Sequence, residues 1–147
     1  MNPTRILPDL QSSLLCEDVR QENNGKLMLI GILTMLPVPQ VPVMAFKLFV
    51  CNRWTAGLGQ FNESVRIVAP DQTTALRKND GKFALPDPSL AYTSVTVFGN
   101  VEFKTAGTYY VEVLVDDVMK LRFPVPVVLV TPPPNAENPP TEEAPKA

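Results

Sequence analysis

LLCEDVRQENNGKLMLIGI, residues 14–32, is the stretch whose reading decides the fold. An apolar run ends in charge at Glu17, Asp18 and Arg20, a turn follows at Gln21–Gly25, and a second, nearly unbroken apolar run returns. The Asn24-Gly25 dipeptide tolerates the positive φ of tight hairpin turns, so Ser13–Val19 and Lys26–Leu36 are predicted to pair antiparallel. The returning run, KLMLIGILTML, is apolar on both parities, whereas a half-buried strand would alternate. Either it is covered on both sides or its outer face meets something outside the monomer. Gly31 in its middle signals a bulge or a close backbone approach.

Working outward, Pro37, Pro39 and Pro42 forbid ladder bonding and predict an extended crossing from one sheet to another. Met44–Trp54 reads as a third strand, with Phe46, Leu48, Val50 and Trp54 on the core face and Lys47, Phe49, Cys51 and Arg53 half exposed. The loop Thr55–Gln60 reads as flexible, and its glycines do not form a phosphate loop, since no Lys-Ser/Thr pair or helix start follows. Ser64–Ala69 and Thr73–Arg77 form a predicted hairpin around Pro70-Asp71, and KNDG at 78–81 is a further turn signal before a short strand at Lys82–Leu85. Tyr92–Phe103 is a long strand broken or bulged at Gly99-Asn100. Next, Tyr109, Val111, Val113 and Val115 share one face, and Asp116-Asp117 turns the chain into a last strand, Val118–Val130, held to a sheet edge by Pro124 and Pro126. Tyr109 matches the tyrosine corner of immunoglobulin-like sandwiches, whose hydroxyl fastens the preceding loop. About seven or eight short alternating strands, with no helical period, predict an all-β fold: an antiparallel immunoglobulin-like β-sandwich over residues 1–130. Residues 131–147, rich in proline and glutamate, read as a disordered tail.

Charge narrows the function classes. Basic and acidic residues balance through Val130, and the whole excess of −2 lies in the tail, where Lys146 meets Glu137, Glu142 and Glu143. No basic stripe is present for phosphate neutralisation or a membrane surface, so neither nucleic acid nor membrane is expected as a partner. The opening residues lack the apolar core of a signal peptide, and a cytoplasmic location is expected. In that compartment Cys16 and Cys51 are expected to stay free and mostly buried.

The 147 residues include no histidine. That removes Ser-His-Asp and Cys-His catalysis and imidazole zinc sites, and two cysteines cannot make a four-thiolate site. Paired acids remain at Glu17-Asp18 and Asp116-Asp117, but neither sits in a recognisable cation loop. No cofactor and no metal are expected, and the chain does not read as an enzyme.

CEDVRQENNGKLMLIGI, FVCNRWTAGLGQF, VRIVAPD, FKTAGTYYVEVLVDD and RFPVPV, in that order, resemble a family of small uncharacterised bacterial β-sandwich proteins over residues 14–130. The resemblance implies a single bacterial domain and no activity. Charged and aromatic residues at strand ends are less explicable by packing than Val or Leu. Asp18, Arg20, Arg53 and Trp54 are therefore the candidate partner or ligand contacts. The leading expectation is a non-enzymatic module for protein interaction or self-association. A second reading is a small-ligand or carbohydrate-binding sandwich using the Arg53–Phe61 loop, and a third is a hydrolase using the acidic pairs.

Overall fold

The computed structural model describes residues 4–131, which are all strand and loop with no helix among them. The tail expected from residue 131 on thus falls almost wholly outside the described residues. Nine strands run in the order β1 (Asp9–Gln21), β2 (Leu27–Ile32), β3 (Leu36–Val38), β4 (Val43–Thr55), β5 (Gly59–Val68), β6 (Ala75–Leu85), β7 (Ala91–Phe103), β8 (Gly107–Val115) and β9 (Val118–Leu129). They form a β-sandwich: a four-stranded sheet β2-β1-β4-β7 facing a five-stranded sheet β3-β9-β8-β5-β6.

The quoted stretch folds as the expected hairpin. Gly25 turns at φ +90°, with its N–H donating to the Glu22 carbonyl at 2.9 Å, and β1 pairs with β2 from Gln21↔Leu27 to Cys16↔Ile32. The crossing after it is more structured than the prolines suggested. Leu36–Val38 pairs in parallel with β9, and Val130 N–H donates to Val38 O at 2.9 Å. Pro37 is tolerated because β3 is an edge strand, where half of the N–H groups face away from the ladder.

Two other expectations are corrected. KNDG is not a turn: β6 runs straight through it, with Asp80 opposite Ser64 and Gly81 opposite Glu63, because an existing β5 ladder outweighs local turn preference. Nor does Phe46 belong to the core. The core face of β4 carries Leu48, Val50, Asn52 and Trp54, yet Val43 and Ala45, of opposite parity, also pack inward, while Phe46 is 83% exposed. On the neighbouring strand Ser94, Thr96 and Phe98 point in, followed by Val101 and Phe103, again with a change of parity. The β4–β7 register nevertheless continues unbroken, from Ala45↔Val101 through Lys47↔Gly99 to Leu48↔Phe98. The two strands therefore change faces together, at Phe46 and at Asn100, which sits at φ +53°. Both are thrown outward at the crease.

Between the sheets lies a core of Leu15, Val50, Phe61, Val65, Phe98, Val111, Val113 and their neighbours. Inside it is one buried carboxylate. Glu63 Oε2 accepts hydrogen bonds from Trp54 Nε1 at 2.7 Å, Ser94 Oγ at 2.7 Å and Asn52 Nδ2 at 2.9 Å. Three donors from two strands of one sheet thus converge on a side chain of the other. A buried carboxylate needs such compensation, and Ser94 faces inward to supply part of it, while Val95 and Val97 on the other parity face out.

A candidate interaction surface

The outer face of the four-stranded sheet follows from this inversion. With Leu15↔Val50 directed into the core, Leu14, Cys16, Phe49 and Cys51 must point the other way. Register then aligns Ile32, Cys16, Phe49 and Val97 in one row across the sheet, and Leu14, Cys51 and Val95 in the next. Ile30 and Met28 extend the apolar surface along β2, while Phe46 and Met44 extend it along β4. Cys16 and Cys51 are buried in the middle of these rows as free thiols, and desolvation pushes both thiols above their ordinary pKa.

The opposite outer face of the molecule is charged. Arg66, Glu112 and Arg122 lie abreast on β5, β8 and β9, with Glu112 ion-paired to Arg66 Nη2 at 2.9 Å and to Arg122 Nε at 3.2 Å. Arg122 also stacks on Tyr110 at 4.6 Å, and Lys78, Asp80 and Lys82 line the adjoining strand. One face is thus dressed for water and the other is not.

All four expected contact residues are on the four-stranded sheet, but they do not form one cluster. Asp18 and Arg20 mark the β1 end, where Arg20 Nε donates to Asp18 Oδ2 at 2.9 Å and the Val19 N–H to Oδ1 at 2.9 Å. The Arg20 guanidinium is the main reason the Asp18 carboxyl sits below its usual pKa. Arg53 stands at the other end of the rows, donating to Gln11 Oε1 at 3.0 Å and Thr93 Oγ1 at 3.4 Å. Arg53 lies six steps along the strand from Lys47, whose charge acts on Asp18, so the two charged ends are about 20 Å apart. They bracket the apolar rows. Trp54 is the exception: its indole faces the interior, is fully buried and is held by Glu63. Its expected contact with a partner or ligand does not hold, because it lies on the core parity of β4.

The Thr55–Gln60 loop is pinned by the N-terminal segment. Ile6 and Leu58 exchange two 2.9 Å backbone bonds, and a Cβ on Gly57 would lie 2.7 Å from Pro8 Cβ. Beside it, a cleft of about 610 Å³ is lined by Arg5, Phe61, Lys82 and Asp116. There Arg5 lies 4.6 Å over the Phe61 ring and is ion-paired with Asp116. Among the acids, Glu17 and Asp18 point to opposite faces of β1, while Asp116 belongs to the β8–β9 turn of the other sheet, engaged by Arg5 and by the Asn62 N–H at 2.9 Å. No group of three metal-ligating side chains occurs among the described residues.

Sequence reasoning missed Val95, Val97, Met44 and Phe46. The alternation of β7 was visible, but which parity faces inward depends on Glu63, a residue of another sheet. No helix among the described residues is long and apolar enough to cross a membrane. No curated protein matches the chain. The model of a family of unknown function, DUF6941, matches residues 11–128, so the chain belongs to that family.

Proposed function

We propose that this domain is a non-enzymatic interaction module that docks a protein partner on the outer face of its four-stranded sheet. The observation that carries the reading is the contrast between the two outer faces, one an Arg66–Glu112–Arg122 ladder and the other rows of Ile, Val, Leu and Phe. Contiguous exposed apolar surface rimmed by polar groups is the mark of an interaction site. Asp18 and Arg20 at one end and Arg53 at the other supply the rim, where charge governs orientation and encounter more than affinity. The neutral domain and the lack of a basic stripe favour a protein partner over nucleic acid or membrane, and a cytoplasmic setting agrees with free thiols.

A photo-crosslinking amino acid at Val97, compared with one at Lys78 on the charged face, tests this in cells. The expected result is a discrete adduct from position 97 and none from position 78. Equal labelling from both positions, or none from Val97, overturns it.

A further inference from the structure

The two sheets meet along a seam between their edge strands, β6 and β7. At one end the stacked Phe83 and Tyr92 rings, 4.9 Å apart, close the seam. At the other it opens into a cleft of about 400 Å³, bounded by Ala69 and Pro70, the start of β6 and the end of β7. Arg77 spans the seam there. In the β5–β6 register it lies opposite the core residue Ile67, so it occupies the inward-facing parity of β6, which carries Phe83 and Leu85 further along.

That placement leaves a charge short of partners. Arg66 and Arg77 are the half-buried arginines of the described residues. Arg66 is ion-paired with Glu112, whereas among the described residues Arg77 is paired with no carboxylate. Its Nη1 donates to Gly99 O at 2.5 Å, and its guanidinium lies 5.9 Å from the centre of the Phe98 ring. One neutral carbonyl and one ring leave most of the guanidinium fork unspent. Removing such a cation from water is costly unless a counter-charge compensates it. The carbonyl it does reach lies at the β7 crease, next to Asn100 at φ +53°, and sparsely populated backbone of this kind gathers at ligand sites.

We infer that this cleft binds a small apolar monocarboxylate, with its carboxylate on the Arg77 guanidinium and its body against Pro70, Leu76, Val101 and Tyr109. A planar guanidinium matches a carboxylate with two parallel bonds, which a lysine in its place could not offer. Lys104 adds a second cation at the exposed rim, and Glu102 beside it opposes a doubly charged ion such as phosphate. Small-molecule sites occupy roughly 300–1,000 Å³, so the cleft holds a compact molecule and not a folded partner. This goes beyond the docking reading and does not rest on it, since the cleft includes neither Val95 nor Val97.

Titration of the isotope-labelled full chain with hexanoate and with phenylacetate, followed by amide NMR shifts, tests it. Hexanamide is the neutral control, and inorganic phosphate supplies charge without an apolar body. Saturable shifts are expected at Leu76, Asn100 and Lys104 with either carboxylate, and none at Val97. Hexanamide is expected to bind about tenfold more weakly or worse, because it lacks the charge-assisted bonds. Arg77→Met is expected to abolish the preference for hexanoate over hexanamide. If that variant does not fold, Arg77→Lys serves instead: it keeps the charge, loses the fork, and is expected to weaken hexanoate severalfold. The proposal is overturned if neither carboxylate shifts the cleft residues, if hexanamide or phosphate binds there as well as hexanoate, or if a folded Arg77 variant keeps the wild-type affinity. Shifts centred on Ile30 and Val97 instead also sink it, since the acid would then be coating the outer apolar face. All of these outcomes leave the cross-link at position 97, and the docking reading with it, to stand or fall alone.

Discussion

Tyr109 opens β8 with its ring buried edge-on against Phe103 and its hydroxyl donating to the Thr105 carbonyl at 2.8 Å. That bond closes the loop before the strand, as the pattern of a small residue followed by tyrosine had indicated. Tyr109→Phe is therefore expected to lower stability by about 1 kcal/mol or somewhat more, measured by urea denaturation. An unchanged midpoint would mean that water replaces the hydroxyl at no cost. The same scale separates the candidate contacts. Arg53 and Arg20 are exposed and bonded to neighbouring surface side chains, while Trp54, two positions from Asn52 on the core face, is buried and fixed by the Glu63 carboxylate.

At the scale of elements, the β4–β7 pair shows why two strands can be located from sequence and still be misfaced. Strict alternation from Trp54 back to Phe46 places Phe46 in the core, and the coupled crease at Phe46 and Asn100 reverses it. Phe46→Ser is accordingly expected to change stability by no more than about 0.5 kcal/mol. Two positions on, Leu48→Ala is expected to cost about 2–5 kcal/mol by opening a cavity. Equilibrium unfolding of the pair of variants distinguishes the observed facing from simple alternation, which predicts large losses for both. The β1–β2 hairpin was legible because Asn24-Gly25 is a local signal, and the β8–β9 hairpin was legible because Asp116-Asp117 supplies two residues at positive φ. KNDG was misread for the complementary reason. Its turn chemistry is real, but β5 provides a partner for each residue and Ser64 Oγ donates to Asp80 at 2.7 Å. A crease that leaves register intact has no local signature beyond Gly99-Asn100.

For the whole molecule the deciding residue is Glu63. One carboxylate of the five-stranded sheet selects which face of β7 turns inward, and so leaves valines on the outside of the other sheet. Glu63→Leu is expected to strand the Trp54, Asn52 and Ser94 donors and to cost at least about 3 kcal/mol in thermal or chemical unfolding, while Glu63→Gln, which keeps one acceptor, loses about half as much. Equal losses would show that packing, not hydrogen bonding, sets that site. The class of fold was readable from strand spacing and turns, whereas the apolar face depends on a contact between distant parts of the chain. The two cysteines, sunk between the apolar rows with their thiols held protonated, have a last consequence: they are built-in chemical reporters. Alkylation requires thiolate and access together, so the rate at which the native protein takes up a thiol reagent is a clock of how often this sheet breathes, and an occupant seated on it would slow the clock without touching either sulfur.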